Sequence, residues 1–293
     1  GYGMDMEIIS AYREDGALRR QLSELAARTF GLDLEKWYAS GYWGDEYVPW
    51  SILTEGRVIA NVSVSRMQFF REGGFVTLLQ LGTVMTEPAY RGQGLIRRLM
   101  SAITTAYARQ GEGYYLFAND SVLDFYPKFG FTKKDMYILA RKVDNAGKAG
   151  RVKKVDMARN ESWSWLERRI ETSRYQGRFW VVGNAGHILF HIMNHLRDAV
   201  YDMEEEEACV IARIEEDTLF LYGIFCAHPV DTKVIIEAFG DKIRRVRLDF
   251  VPEEVETYDM LAYREPGSTL FVKGPFFEAG AKWQGIFPLL SHA

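Results

Sequence analysis

Two stretches of this 293-residue chain hold residues whose types and spacing could do chemistry. In the first, Arg91-Gly92-Gln93-Gly94 follows an apolar run of strand length, Leu78–Met85, and Pro88 ends that strand because proline has no N–H to give a ladder. From Leu95 the apolar residues Leu95, Leu99, Ile103 and Ala106 fall at helical spacing. A glycine turn at a helix start leaves the first-turn amides unpaired, with no Cβ to hold an oxyanion off, and Arg91 adds a fixed positive charge. The combination is a pyrophosphate cradle. It is not a Walker loop, which needs Gly-x-x-x-x-Gly-Lys-Ser/Thr, nor a Rossmann turn, whose third glycine would stand where Arg97 is. The second stretch, Leu34 to Trp50, mixes aromatic faces with carboxylates. Its Trp37, Tyr42, Trp43, Asp45 and Glu46 could receive an ammonium group, or could be core aromatics with a wet rim.

The elements that must position these residues read as a mixed α/β chain. Ile8–Tyr12 is a strand, and Asp15 starts an amphipathic helix that Gly31 stops. Trp50–Thr54 and Val58–Phe70 pair around Glu55-Gly56, and Glu72-Gly73-Gly74 leads into the central strand. The helix from Leu95 runs to about Gln110, and Tyr114–Ala118 is a strand parallel to Leu78–Met85, since a helical crossover joins them. Asn119 caps a short helix carrying Tyr126, and a last strand runs from Phe131 toward Arg141.

The residues Arg91-Gly92-Gln93-Gly94-Leu95-Ile96 resemble the acyl-CoA loop of the GNAT superfamily of N-acetyltransferases, Gln/Arg-x-x-Gly-x-Gly/Ala. The match departs at the sixth position, where Ile96 replaces a small residue, as in the Eis-type (enhanced-intracellular-survival) branch. Phe125-Tyr126-Pro127-Lys128-Phe129-Gly130-Phe131 is similar to the signature closing the GNAT core, so the resemblance covers about residues 5–142. It implies a mostly antiparallel central sheet flanked by helices, with acetyl-CoA as cofactor held by Val84, Met85, Thr86, Arg91, Gly92, Gln93, Gly94, Leu95, Ile96 and Asn119. Pantetheine, which is peptide-like, would lie as a pseudo-strand where Thr86–Pro88 breaks the ladder. Tyr126 would be the acid: a phenol of pKa about 10 is suited to returning a proton to a thiolate whose thiol has pKa about 8.5. For the base, Asp45, Glu46, Glu87, Asp120, a water chain and the carboxylate of Ala293 stay open.

Val143–Val155 is small, polar and charged and reads as a linker. The expected division is a catalytic domain over 4–142, this linker over 143–155, and a second half over 156–293. In that half Leu219–Cys226, a short helix and Val246–Val251 mirror the central strand, helix and Tyr114–Ala118, but the loop is His228-Pro229-Val230-Asp231. It has no glycine pair and no arginine, and Asp231 would cap its own helix and repel phosphate. The second half therefore reads as GNAT-like and silent. His187–His191 reads as strand-like or as a helix start; His187, His191 and His195 would share a face if helical, and no metal is expected.

A formal charge of −4 argues against nucleic-acid or membrane partners, and no apolar run approaches the ~20 residues of a membrane span. Gly1–Gly3 ahead of Met4 read as a leftover leader, and no signal peptide is apparent, so the expected location is cytoplasmic. Cys209 and Cys226 are expected as buried thiols on two arms of one hairpin. The leading expectation is acetyl transfer to a primary amine of a small molecule by direct attack in a ternary complex. An acyl-CoA-binding sensor without turnover and a peptide or protein N-acyltransferase fit the same residues, and a homo-oligomer is left open.

Overall fold

In the computed structural model, residues 5–145, 150–174, 177–278 and 285–292 are described. Each local element follows from its residues. Asp15 accepts the amide of Leu18 at 3.2 Å and Gly31 takes the left-handed conformation, which bounds the first helix at both ends. In chain order the first half holds β1 (Met6–Ser10), α1 (Gly16–Phe30), α2 (Leu34–Ala39), β2 (Tyr47–Thr54), β3 (Arg57–Arg71), β4 (Gly74–Thr86), α3 (Leu95–Ala106), β5 (Tyr114–Ala118), β6 (Thr132–Lys134) and β7 (Met136–Lys142). The second holds β8 (Lys153–Lys154), α4 (Asn160–Thr172), β9 (Phe179–Val182), α5 (Ala185–His195), β10 (Val200–Met203), β11 (Ala208–Glu215), β12 (Thr218–Cys226), α6 (Thr232–Ala238), β13 (Arg245–Leu248), β14 (Asp259–Tyr263) and β15 (Thr269–Lys273).

Two mixed, mostly antiparallel sheets result. One runs β1-β2-β3-β4-β5-β15-β6, with β9 pairing a further stretch of β3; the other runs β8-β10-β11-β12-β13-β7-β14. The orders match position for position. In each sheet the strand after the parallel pair is donated by the other half: β15 pairs β5 and β6, while β7 pairs β13 and β14. The strand expected from Phe131 toward Arg141 is split: β6 edges the first sheet, β7 lies between β13 and β14 in the second, and sheet membership crosses the expected linker. Short apolar strands such as Leu270-Phe271-Val272 carry no signal of which sheet they will join, because pairing is decided by tertiary packing.

The interface is core rather than rim. Met67, Phe69, Val76, Leu78 and Tyr115 of the first sheet pack in one buried cluster with Trp180, Ile188, Ile192, Phe225 and Phe287. Residues 285–292 thread into this core: Phe287 stacks on Tyr115 at 4.2 Å, and the Ser291 carbonyl accepts from Gln80 at 2.7 Å and Tyr115 at 3.0 Å. Of the two readings left open for His187–His191, strand or helix start, the helix holds: the run lies in α5, with its apolar residues buried in this interface. Cys209 and Cys226 lie one register step apart on β11 and β12, free and buried, and burial pushes the Cys226 thiol up to about 11. Among the described residues no helix is long and apolar enough to cross a membrane.

Candidate active site between two diverging strands

The parallel pairing of β4 with β5 lasts three steps, Leu79–Tyr114, Gln80–Tyr115 and Leu81–Leu116, and then stops. The cause is a bulge on β4. Against β3, Ser63 faces Gly82 and Asn61 faces Met85, so Thr83 and Val84 together face Val62. Thr83 takes φ +47°, an unusual conformation for a β-branched residue. A buried network holds it there. Asn61 donates to the Thr83 carbonyl at 2.9 Å, and the Tyr47 hydroxyl, which accepts from Ser63 at 2.8 Å, bonds the Thr83 hydroxyl at 2.7 Å. The splay was expected at Thr86–Pro88; it begins earlier, at Gly82, while β4 stays paired with β3 through Thr86. Glycine inside a strand is the sequence signal for such a bulge.

The strands part around a cleft of about 1030 Å³. One wall is Gly82–Thr86, the other Leu116–Asn119, with Ser121, Val122 and Tyr126 beyond it. Arg91 and Ile96 line the outer end. Gly92 and Gly94 have φ of +80° and +72°, and a Cβ on either would point into open space. Gly94 is the N-cap of α3 and gives no side chain to its amides, so no cap blocks the first-turn N–H groups of this twelve-residue helix. Gly92, Gln93 and Gly94 are exposed, and Leu95 sends its side chain into the core; none of these four residues lines the cleft.

Tyr126 is buried on this wall, and its hydroxyl has no hydrogen-bond partner among the described residues. Burial pushes it up to about 12, so the phenol stays protonated. Asn119 accepts the Ser121 amide at the long distance of 3.5 Å and lines the cleft.

Of the aromatic and acidic stretch, only Trp37 and Tyr47 reach the cleft. Trp43 stacks behind Trp37 at 5.5 Å, and Tyr42 leans toward Glu167. Asp45 is exposed and paired with Arg13 at 2.9 Å, and Glu46 is exposed. The expectation that Tyr42, Trp43, Asp45 and Glu46 line an acceptor pocket does not match this placement, since β2 already begins at Tyr47 and turns them outward or into the core. Among the other candidate bases, Glu87 pairs with Arg28 at 2.9 Å, Asp120 is exposed and outside the cleft lining, and Ala293 lies outside the described residues.

The rest of the cleft comes from the second half, which sequence reasoning did not foresee. His187, Phe190 and His195 of α5 line it, as do Glu265 and Gly267 of the β14–β15 turn. Trp37 donates to the Gly186 carbonyl at 2.9 Å; a Cβ at Gly186 would sit 2.3 Å from the Tyr42 carbonyl, so glycine permits α5 to approach this closely. His187 is enclosed, donating from Nδ1 to Asn184 at 2.7 Å and accepting at Nε2 from Ser65 at 3.1 Å, and burial lowers it to about 4. His191 meets the His292 carbonyl instead of the cleft. Among the described residues no three histidine, cysteine or acidic side chains converge as metal ligands.

Comparison with known proteins bears on this geometry. Residues 19–131 match the model of the acetyltransferase (GNAT) family. No curated protein matches the chain. Among solved structures, a GCN5-related N-acetyltransferase from Kribbella flavida aligns at TM-score 0.56 and 16% identity, over 92% of this chain and 71% of that one. Eis1 from Mycobacterium abscessus aligns at TM-score 0.56 and 13% identity, over 92% and 73%. A protein of Pyrococcus horikoshii aligns end to end, over 98% of this chain and 96% of its own, at TM-score 0.50 and 12% identity. These likenesses extend the fold across both halves, and residues 19–131 are similar in sequence to the GNAT family of acetyltransferases.

Proposed function

We propose that the cleft binds acetyl-CoA and transfers its acetyl group to a primary amine of a small molecule, by direct attack in a ternary complex. The observation that carries this reading is the splay itself: one cleft runs from Arg91 and Ile96, which flank the glycine loop, along the bulged strand to the unpartnered phenol of Tyr126. The fit is of the right kind. The α3 amides and Arg91 suit a pyrophosphate, and the edges of Val84–Thr86 and Asn119 suit the amides of a pantetheine arm. Bound there, acetyl-CoA supplies an activated thioester.

The chain's own groups divide the remaining work. The Thr83–Val84 bulge takes these two residues out of the β3 ladder beside the gap, which supports a role for their main chain in polarising a carbonyl. Tyr126, neutral at physiological pH, would give its proton to the leaving sulfur and regain one from the proton that the amine loses as the amide forms. Trp37, Tyr47 and Phe190 shut water out behind the acceptor.

The test is acetyl-CoA turnover with a panel of primary amines, together with coenzyme A titration. Tyr126→Phe is expected to lower kcat by about 10²- to 10⁴-fold with coenzyme A affinity unchanged. An unchanged kcat removes Tyr126 as the acid. Saturable coenzyme A binding without product on any amine favours a sensor instead.

A further inference from the structure

The acceptor end of the cleft has no charge complementary to a polycation. Its wall is Trp37, Tyr47 and Phe190, with Phe30 and Leu32 at the mouth. Phe30 is 47% exposed, one of few large apolar side chains left to solvent among the described residues. The nearby carboxylates are turned away and engaged: Asp45 with Arg13, Glu35 with Arg19, and Glu87 with Arg28, each at 2.9 Å. The one carboxylate lining the cleft, Glu265, sits on the turn before β15, and the pairing of Thr269 with Ala118 holds that turn over the end of β5. Trp37 and Tyr47 lie on the opposite side, against Thr83 of β4.

Behind the exposed His195 at the rim, the deeper polar side chains of this wall are already engaged. The Tyr47 hydroxyl is used by Ser63 and Thr83, and both nitrogens of His187 are used by Asn184 and Ser65. A substrate rich in hydroxyls or ammonium groups would lose its water here and find no partners. An apolar body would lose nothing. We infer that the acceptor is a primary amine carried on an apolar, aromatic-sized body with no second charge. This rests on the transferase reading above and narrows it. Desolvation against the apolar wall acts on an entering ammonium in the same direction as on His187 and favours its neutral, nucleophilic form, so an acceptor without a strong carboxylate base is consistent with the wall.

The experiment uses the full chain and follows thiol release from acetyl-CoA with 2-phenylethylamine, tryptamine, spermidine and kanamycin. The two aralkylamines are expected to exceed spermidine and kanamycin in kcat/KM by at least about 100-fold. Leu32→Asp, at the mouth and only partly buried, is expected to shrink that ratio about tenfold or more by raising KM for the aralkylamines and lowering it for spermidine. Turnover with spermidine or kanamycin at equal or higher kcat/KM overturns the inference and leaves the transferase reading standing. Turnover with no amine overturns both.

Discussion

The two halves build the same splay and put it to different uses. In the first, β4 and β5 pair until Leu81–Leu116, and a bulge follows at Thr83–Val84. In the second, β12 and β13 pair until Leu221–Leu248, and a bulge follows at Tyr222, between the pairs Ala212–Leu221 and Ile211–Gly223. What enters the gap differs. Gly223 has Leu290 and Trp180 pressed against it, and the Leu289 amide donates to the Asp249 carbonyl at 3.3 Å, so the second gap is filled by core. The helix ends differ as well: α3 begins at a bare Gly94, whereas Asp231 closes the seven-residue α6 by accepting the Lys233 amide at 2.9 Å. A repeated scaffold thus supplies the divergence, and the side chains at its opening decide whether it is a site or a core.

The largest way to break the comparison is to separate the halves. Each sheet borrows a strand, so a fragment of residues 5–142 lacks β15 between β5 and β6 and leaves β7 without a sheet. Phe271 alone is 1% exposed in the intact chain and would leave a cavity between Leu116 and Tyr126. The fragment is expected to show no cooperative urea transition and no coenzyme A binding. A folded fragment that binds coenzyme A would mean the exchange is dispensable.

A smaller change makes the open splay resemble the closed one. Gly94→Asp sets a carboxylate at the α3 N-terminus, where Asp231 stands in the second half. Aspartate tolerates the left-handed conformation better than most residues, so the fold should survive. Coenzyme A affinity is expected to fall about 100-fold, roughly 3 kcal/mol, by calorimetric titration. Affinity within twofold of the parent would show that the first-turn amides do not grip the phosphates.

How much of this was legible in the sequence divides along the range of the interactions involved. Gly92, Gly94 and the helical spacing from Leu95 are local signals, and the loop and the start of α3 stand where they were expected, although the helix ends at Ala106 and not near Gln110. So does the Asp231 cap. The onset of the splay was misread because Pro88 is the louder breaker, while Gly82 marks the actual bulge. The strand exchange and the α5 wall depend on contacts between residues more than a hundred positions apart, such as Trp37 with Gly186, and no periodicity encodes those. The carboxylates Asp45 and Glu46 looked like substrate ligands because composition shows charge but not the direction a strand turns it.

The smallest expected effect tests whether the second splay is closed by its cap or by its core. If the Asp231 carboxylate were the whole barrier, Asp231→Ala would free the α6 amides and a second anion would bind. The packing argues otherwise, because Leu290 and Trp180 occupy the gap whatever stands at 231, and α6 has too few turns for much dipole. Asp231→Ala is therefore expected to cost about 1 kcal/mol in urea denaturation, the usual price of a lost N-cap, while coenzyme A titrates at one equivalent per chain as before. Two equivalents would make the cap, rather than the core, the feature that silenced the second half.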